Sequence, residues 1–136
     1  MNNFDLSNPT HILFGKGRIA DLSAQIPAHA KVMVLYGGGS AERTGVLAKV
    51  RDVLGDRIVV EFGGIEPNPR FATAIKAIEL IKQDDITFLL AVGGGSVIDA
   101  TKFIAAAAKY DGDAWEILTS MGGVVTAAMP FGTVLT

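Results

Sequence analysis

Thr87–Lys102, TFLLAVGGGSVIDATK, is the stretch that decides the fold. Thr87 to Val92 is apolar almost throughout and lacks a period of two, the pattern of a strand buried on both faces of a parallel sheet. Gly93, Gly94 and Gly95 then turn the backbone with no Cβ to block a close approach, and Ser96 opens a helix predicted to run to about Ala108. A strand, a glycine turn and a helix start, in that order, aim unpaired N–H groups and the positive end of a helix dipole into one crevice. Such a crevice suits a phosphate. The same residues also admit a purely structural reading: Ser96 and Asp99 have the spacing of a capping box, and the glycines let strand and helix pack closely.

Upstream, the arrangement occurs a second time. Lys31 to Tyr36 is another buried-type strand running into Gly37, Gly38, Gly39 and Ser40, and the apolar positions Val46, Leu47, Val50, Val53 and Leu54 predict a helix over Ala41 to Leu54. Gly55 and Asp56 turn the chain, Arg57 to Phe62 is a strand, and Gly63 to Pro69 is predicted as an irregular loop held extended by Pro67 and Pro69. Phe71 to Gln83 is an amphipathic helix that leads into the central strand. At the outer ends, Thr10 to Phe14 is predicted as a strand and Arg18 to Gln25 as a helix stopped by Pro27. Ala114 to Leu118 is predicted as one helical turn, with Trp115 anchoring it to the core, and Val124 to Thr136 as loop and a last strand, with Gly132 to Thr136 strongly strand-like.

Strands alternating with helices predict an α/β fold, a doubly wound, mostly parallel Rossmann-like sheet with helices on both faces. Ligands in such sheets lie beyond the carboxyl ends of the strands, where both GGGS turns and the Pro67-Asn68-Pro69 loop should converge. Neither turn is a G-x-G-x-x-G fingerprint, and the chain has no P-loop motif.

A length of 136 residues fits one domain, and 49% hydrophobic residues suffice for a real core. The formal net charge of −2 offers no electrostatic grip on nucleic acid. The lack of cysteine excludes disulfides and thiolate metal sites, and His11 and His29 alone cannot build an imidazole site. The N-terminus has no signal-peptide pattern and no run is long enough to span a bilayer, so the expectation is a soluble, cytoplasmic protein with no membrane partner. Val97 to Ala108 is apolar around most of its circumference and should be covered on several sides.

In Gly93–Lys102, GGGSVIDATK, the chain resembles the iron-containing (group III, metal-dependent) alcohol dehydrogenases, and most of all their bacterial NADPH-dependent aldehyde reductase branch. Ile12–Gly17 (ILFGKG), Tyr36–Ser40 (YGGGS), Glu66–Pro69 (EPNP) and Val134–Thr136 (VLT) fall in the same order as in that family. The resemblance implies that residues 1–136 form a dinucleotide-binding N-terminal domain, without the helical metal-binding domain that follows in the family. It implies that Gly94, Gly95 and Ser96 receive the pyrophosphate, that Asn68 lines the cofactor cleft and that Thr136 contacts the nucleotide. Asp99 is placed near the nicotinamide, the one candidate for a catalytic role, while Lys102 either serves the motif or pairs with Asp99 along the helix. Gly37, Gly38, Gly39 and Ser40 stand where NAD-selective relatives carry an acidic residue, and with Arg43 close behind they favour NADP(H). The implied activity is hydride transfer between the nicotinamide and a small alcohol or aldehyde. A divalent iron or zinc would assist it from ligands outside this chain, in a full-length homo-oligomer. The alternative is a non-catalytic nucleotide-binding or subunit-assembly module.

Overall fold

A computed structural model describes residues 3–136. Its core is a sheet of four parallel strands, β1 (Val32–Gly37), β2 (Ile58–Ile65), β3 (Phe88–Gly93) and β4 (Phe131–Leu135), in the order β2-β1-β3-β4. The two central strands are the two continuous apolar runs of the sequence. Val32, Val34, Leu90 and Val92 face one side of the sheet and Met33, Leu35, Leu89 and Ala91 the other, all of them fully buried. Burial on both faces is what a strand without hydrophobic alternation needs.

The first face is covered by a 3-10 turn (Arg18–Asp21), α1 (Leu22–Gln25), α2 (Ser40–Arg43) and α3 (Val46–Leu54), which pack Ile26, Ala41, Leu47, Val50 and Leu54 onto it. The second is covered by α4 (Phe71–Gln83), α5 (Gly95–Ala107) and α6 (Trp115–Thr119), through Ala74, Ile78, Ile81, Val97, Ile104 and Ile117. The predicted doubly wound architecture is therefore the observed one. In α5 the buried Thr101 satisfies its hydroxyl by donating to the Val97 carbonyl at 2.8 Å, so the one buried polar side chain of that helix costs little.

Some boundaries differ from the sequence-based expectation. Thr10–Phe14 is no strand: it is irregular, with Ile12 and Phe14 exposed. Just before it, Asn8 Oδ1 accepts from both the backbone N–H (3.1 Å) and the hydroxyl (2.6 Å) of Thr10, a local turn that takes up groups a ladder would use. The helix predicted over Ala41–Leu54 is split at Gly45, whose φ of 74° ends α2 and begins α3. β2 runs on through Gly63, Gly64 and Ile65, which were expected in a loop, because Ile65 still pairs with Gly37 after a register shift in the ladder.

Candidate cofactor site at the carboxyl ends of the strands

The helical connection after β1 lies on one face of the sheet and that after β3 on the other, so the seam between these neighbouring strands is the topological switch point. Both GGGS segments end at it. Gly37 closes β1, and a Cβ built on it would lie 3.6 Å from Val97 Cγ2 in the first turn of α5, so the two glycine turns abut. Thr136 joins them from the next strand: Leu135 pairs with Gly93, and the Thr136 N–H donates to the Gly93 carbonyl at 3.1 Å.

At the β3 turn, Gly94 is the N-cap of α5, with extended backbone (φ −90°, ψ −168°), and no side chain caps the helix. Ser96 is the second helical residue, so the capping-box reading of Ser96 and Asp99 is not the one adopted. The first-turn N–H groups of a thirteen-residue helix thus open onto the seam without a protein side chain to satisfy them. Gly93 makes the approach possible, since a Cβ there would sit 2.8 Å from Val97 Cγ2.

At the β1 turn, Gly38 has open space where a Cβ would be, and Gly39 adopts φ 122°. Arg43 Nη1 lies 3.2 Å from the position a Gly39 Cβ would take, which puts the guanidinium over this turn rather than out along an exposed helix. Tyr36, just before the turn, lays its ring across β2: a Cβ on Gly63 would fall 2.6 Å from it. Nothing in the local pattern of Gly63 announced this, because the residue that needs the space lies on another strand.

Asp99 is exposed and faces Lys102 at 3.8 Å, so the ion-pair alternative for Lys102 is realised in a loose, solvated form. Asp99 also lines a cavity of about 190 Å³ between the first turns of α4 and α5, together with Pro69, Arg70, Phe71, Phe103 and Leu118. Trp115 meets Phe71 edge-on at 5.1 Å beside this wall but stays 52% exposed, and Ile117 rather than Trp115 seats α6 in the core, so the anchoring role expected of the tryptophan falls to its neighbour. Asn68, in the loop after β2, holds φ 56°, a left-handed conformation uncommon outside glycine. Among the described residues, no three His, Cys, Asp or Glu side chains come together as a metal site.

The model of the family described as iron-containing alcohol dehydrogenase matches residues 9–136. This chain belongs to the iron-containing alcohol dehydrogenase family. It is similar along its whole length to the NADPH-dependent aldehyde reductase YqhD of Escherichia coli, with 56% identity over 138 residues that make up 36% of that protein. It is likewise similar to a probable NADH-dependent butanol dehydrogenase of Bacillus subtilis, with 52% identity over 35% of that protein's length. The solved structure of YqhD free of substrate and cofactor superposes with a TM-score of 0.95 over 98% of this chain and 36% of its own. An NADH-dependent butanol dehydrogenase A from Thermotoga maritima, 39% identical, gives 0.91 over 100% of this chain and 35% of its own. The chain therefore spans little more than a third of the length of the family members it matches. Among the described residues, no helix is long and apolar enough to cross a membrane.

Proposed function

We propose that this chain is the cofactor-binding part of an NADP(H)-dependent alcohol dehydrogenase or aldehyde reductase. The observation that carries the reading is the uncapped start of α5, set against a second glycine turn at the switch point. Gly94, Gly95 and Ser96 hold the pyrophosphate there, with the first-turn N–H groups of α5 as donors. Gly37, Gly38, Gly39 and Ser40 receive the adenosine ribose: none of the four is a carboxylate, the nearby Glu42 faces Arg51 at 3.4 Å, and the Arg43 guanidinium over Gly39 suits a 2′-phosphate. Thr136 and Asn68 close the cleft from the neighbouring strand ends, and Asp99 orients the nicotinamide end beside the cavity at Phe71 and Phe103.

The bound nicotinamide supplies the hydride chemistry. The residues described here contribute binding and orientation. They form no cage for iron or zinc, so polarisation of the substrate oxygen is not assigned to them.

Calorimetric titration of the purified chain with NADPH and then NADH, alongside an assay of NADPH oxidation by a short aldehyde with added divalent metal, tests the reading. The expected result is NADPH binding at least tenfold tighter than NADH, with the preference lost in Arg43→Ala. Equal affinities would refute the NADP(H) assignment. Failure to bind either cofactor would refute the site, and turnover would show that the chain carries catalytic groups beyond those assigned.

A further inference from the structure

Asn68 stands in a conformation that its own sequence opposes. Asparagine tolerates a φ of 56° better than most non-glycine residues, but the proline that follows it, Pro69, biases the preceding residue toward extended backbone. The loop from Glu66 to Arg70 must therefore be held from outside Asn68. The start of α4 supplies the hold. Arg70 is its N-cap and offers no side-chain cap, while the Thr73 hydroxyl in the first turn reaches back and donates to Glu66 Oε1 at 2.8 Å. That bond ties the residue leaving β2 to the first turn of the helix, with Pro67, Asn68 and Pro69 strung between. Glu66 Oε2 is shielded from solvent with no hydrogen-bond partner, and Thr73 is the side chain that hydrogen-bonds the carboxylate, through Oε1. The carboxyl group lies below the usual carboxylate range, first through its own backbone N–H, then through Thr73 and the charge of Arg70, so it is ionised at neutral pH and a strong acceptor.

We infer that Glu66 and Thr73 form a clamp that holds Asn68 in its left-handed conformation at the mouth of the cofactor cleft, making both of them positioning residues. The inference rests on the cofactor reading for its purpose, and on the Glu66–Thr73 bond and the Asn68 backbone for its geometry.

The test uses the chain with Thr73→Val, Thr73→Ser, Asn68→Ala and Thr73→Val/Asn68→Ala. Backbone chemical shifts of Asn68, measured without cofactor, report its conformation directly. Thr73→Val is expected to move them from left-handed to extended values, and Thr73→Ser, which keeps the hydroxyl, to restore them. In NADPH titrations Thr73→Val is expected to weaken binding about tenfold, the order that loss of one hydrogen bond's worth of positioning gives. In an Asn68→Ala background it should weaken binding no further, because the effect passes through Asn68. Unchanged Asn68 shifts in Thr73→Val, or losses that add in the double variant, overturn the clamp. If the unsubstituted chain binds no NADPH, the cofactor reading fails, and the Asn68 shifts still decide whether the clamp exists. Should Thr73→Val fail to fold, Glu66→Ala breaks the same bond from the other side.

Discussion

Gly93 and Gly38 look alike in sequence, each within a run of three glycines, yet the structure gives them opposite tolerances. A methyl group at Gly93 would meet Val97 Cγ2 at 2.8 Å and Val97 Cβ at 3.1 Å, and Val97 is buried with no room to retreat. At Gly38 it would meet nothing within 4 Å. Gly93→Ala is therefore expected to cost about 1–3 kcal/mol in urea unfolding, and Gly38→Ala to stay within about 0.5 kcal/mol of the parent. Equal losses would mean that the close approach of α5 to β3 is not what Gly93 provides. The candidate site was legible at this scale in the two GGGS turns, which act through their own backbone, but not at Asn68, where the flanking prolines predict an extended loop and φ is 56°. It was not legible where the reason lies in a distant segment. Gly63 makes room for Tyr36, and Glu66 answers to Thr73; neither pairing has a local signature.

Among the elements, the outermost strand β2 shows how the sheet closes its flank. Arg51 on α3 donates to Glu61 on β2 through Nε at 2.7 Å and through Nη2 at 3.0 Å, and holds the Glu61 carboxyl below the usual carboxylate range. A carboxyl group depressed in the folded state stabilises fully above its unfolded value, and the contribution is lost as pH falls through the folded one. The stability difference between the parent and Glu61→Gln should thus be largest above about pH 5 and shrink as pH falls below the ordinary carboxylate value of roughly 4.3. Urea midpoints at a series of pH values check this, and a difference independent of pH would sink it. Helices and strands with strong periodicity were legible from sequence: α4 occupies Phe71–Gln83 as its apolar spacing predicts. The failures lie at positions where partners decide. Thr10–Phe14 has strand-forming residues and no strand beside it, and Gly63–Ile65 has loop composition but a paired neighbour in β1.

For the whole molecule, the order β2-β1-β3-β4 places both fully buried strands in the middle. Local openings that expose an edge leave the centre intact, so amide hydrogen exchange should be slowest in Met33–Leu35 and Leu89–Val92 and fast throughout residues 3–14. Comparable protection of residues 3–14 would contradict the irregular, exposed course described for them. The fold class was legible because alternating strands and helices leave few ways to bury two apolar strands on both faces.

The two glycine turns meet at one seam but belong to different segments of chain, one after β1 and the other after β3. On the proposed assignment the first chooses between dinucleotides and the second grips what all of them share. Mutation can therefore act on choice and grip separately: substitutions within Gly37–Arg43 exchange one redox currency for another while Gly94–Ser96 stays untouched.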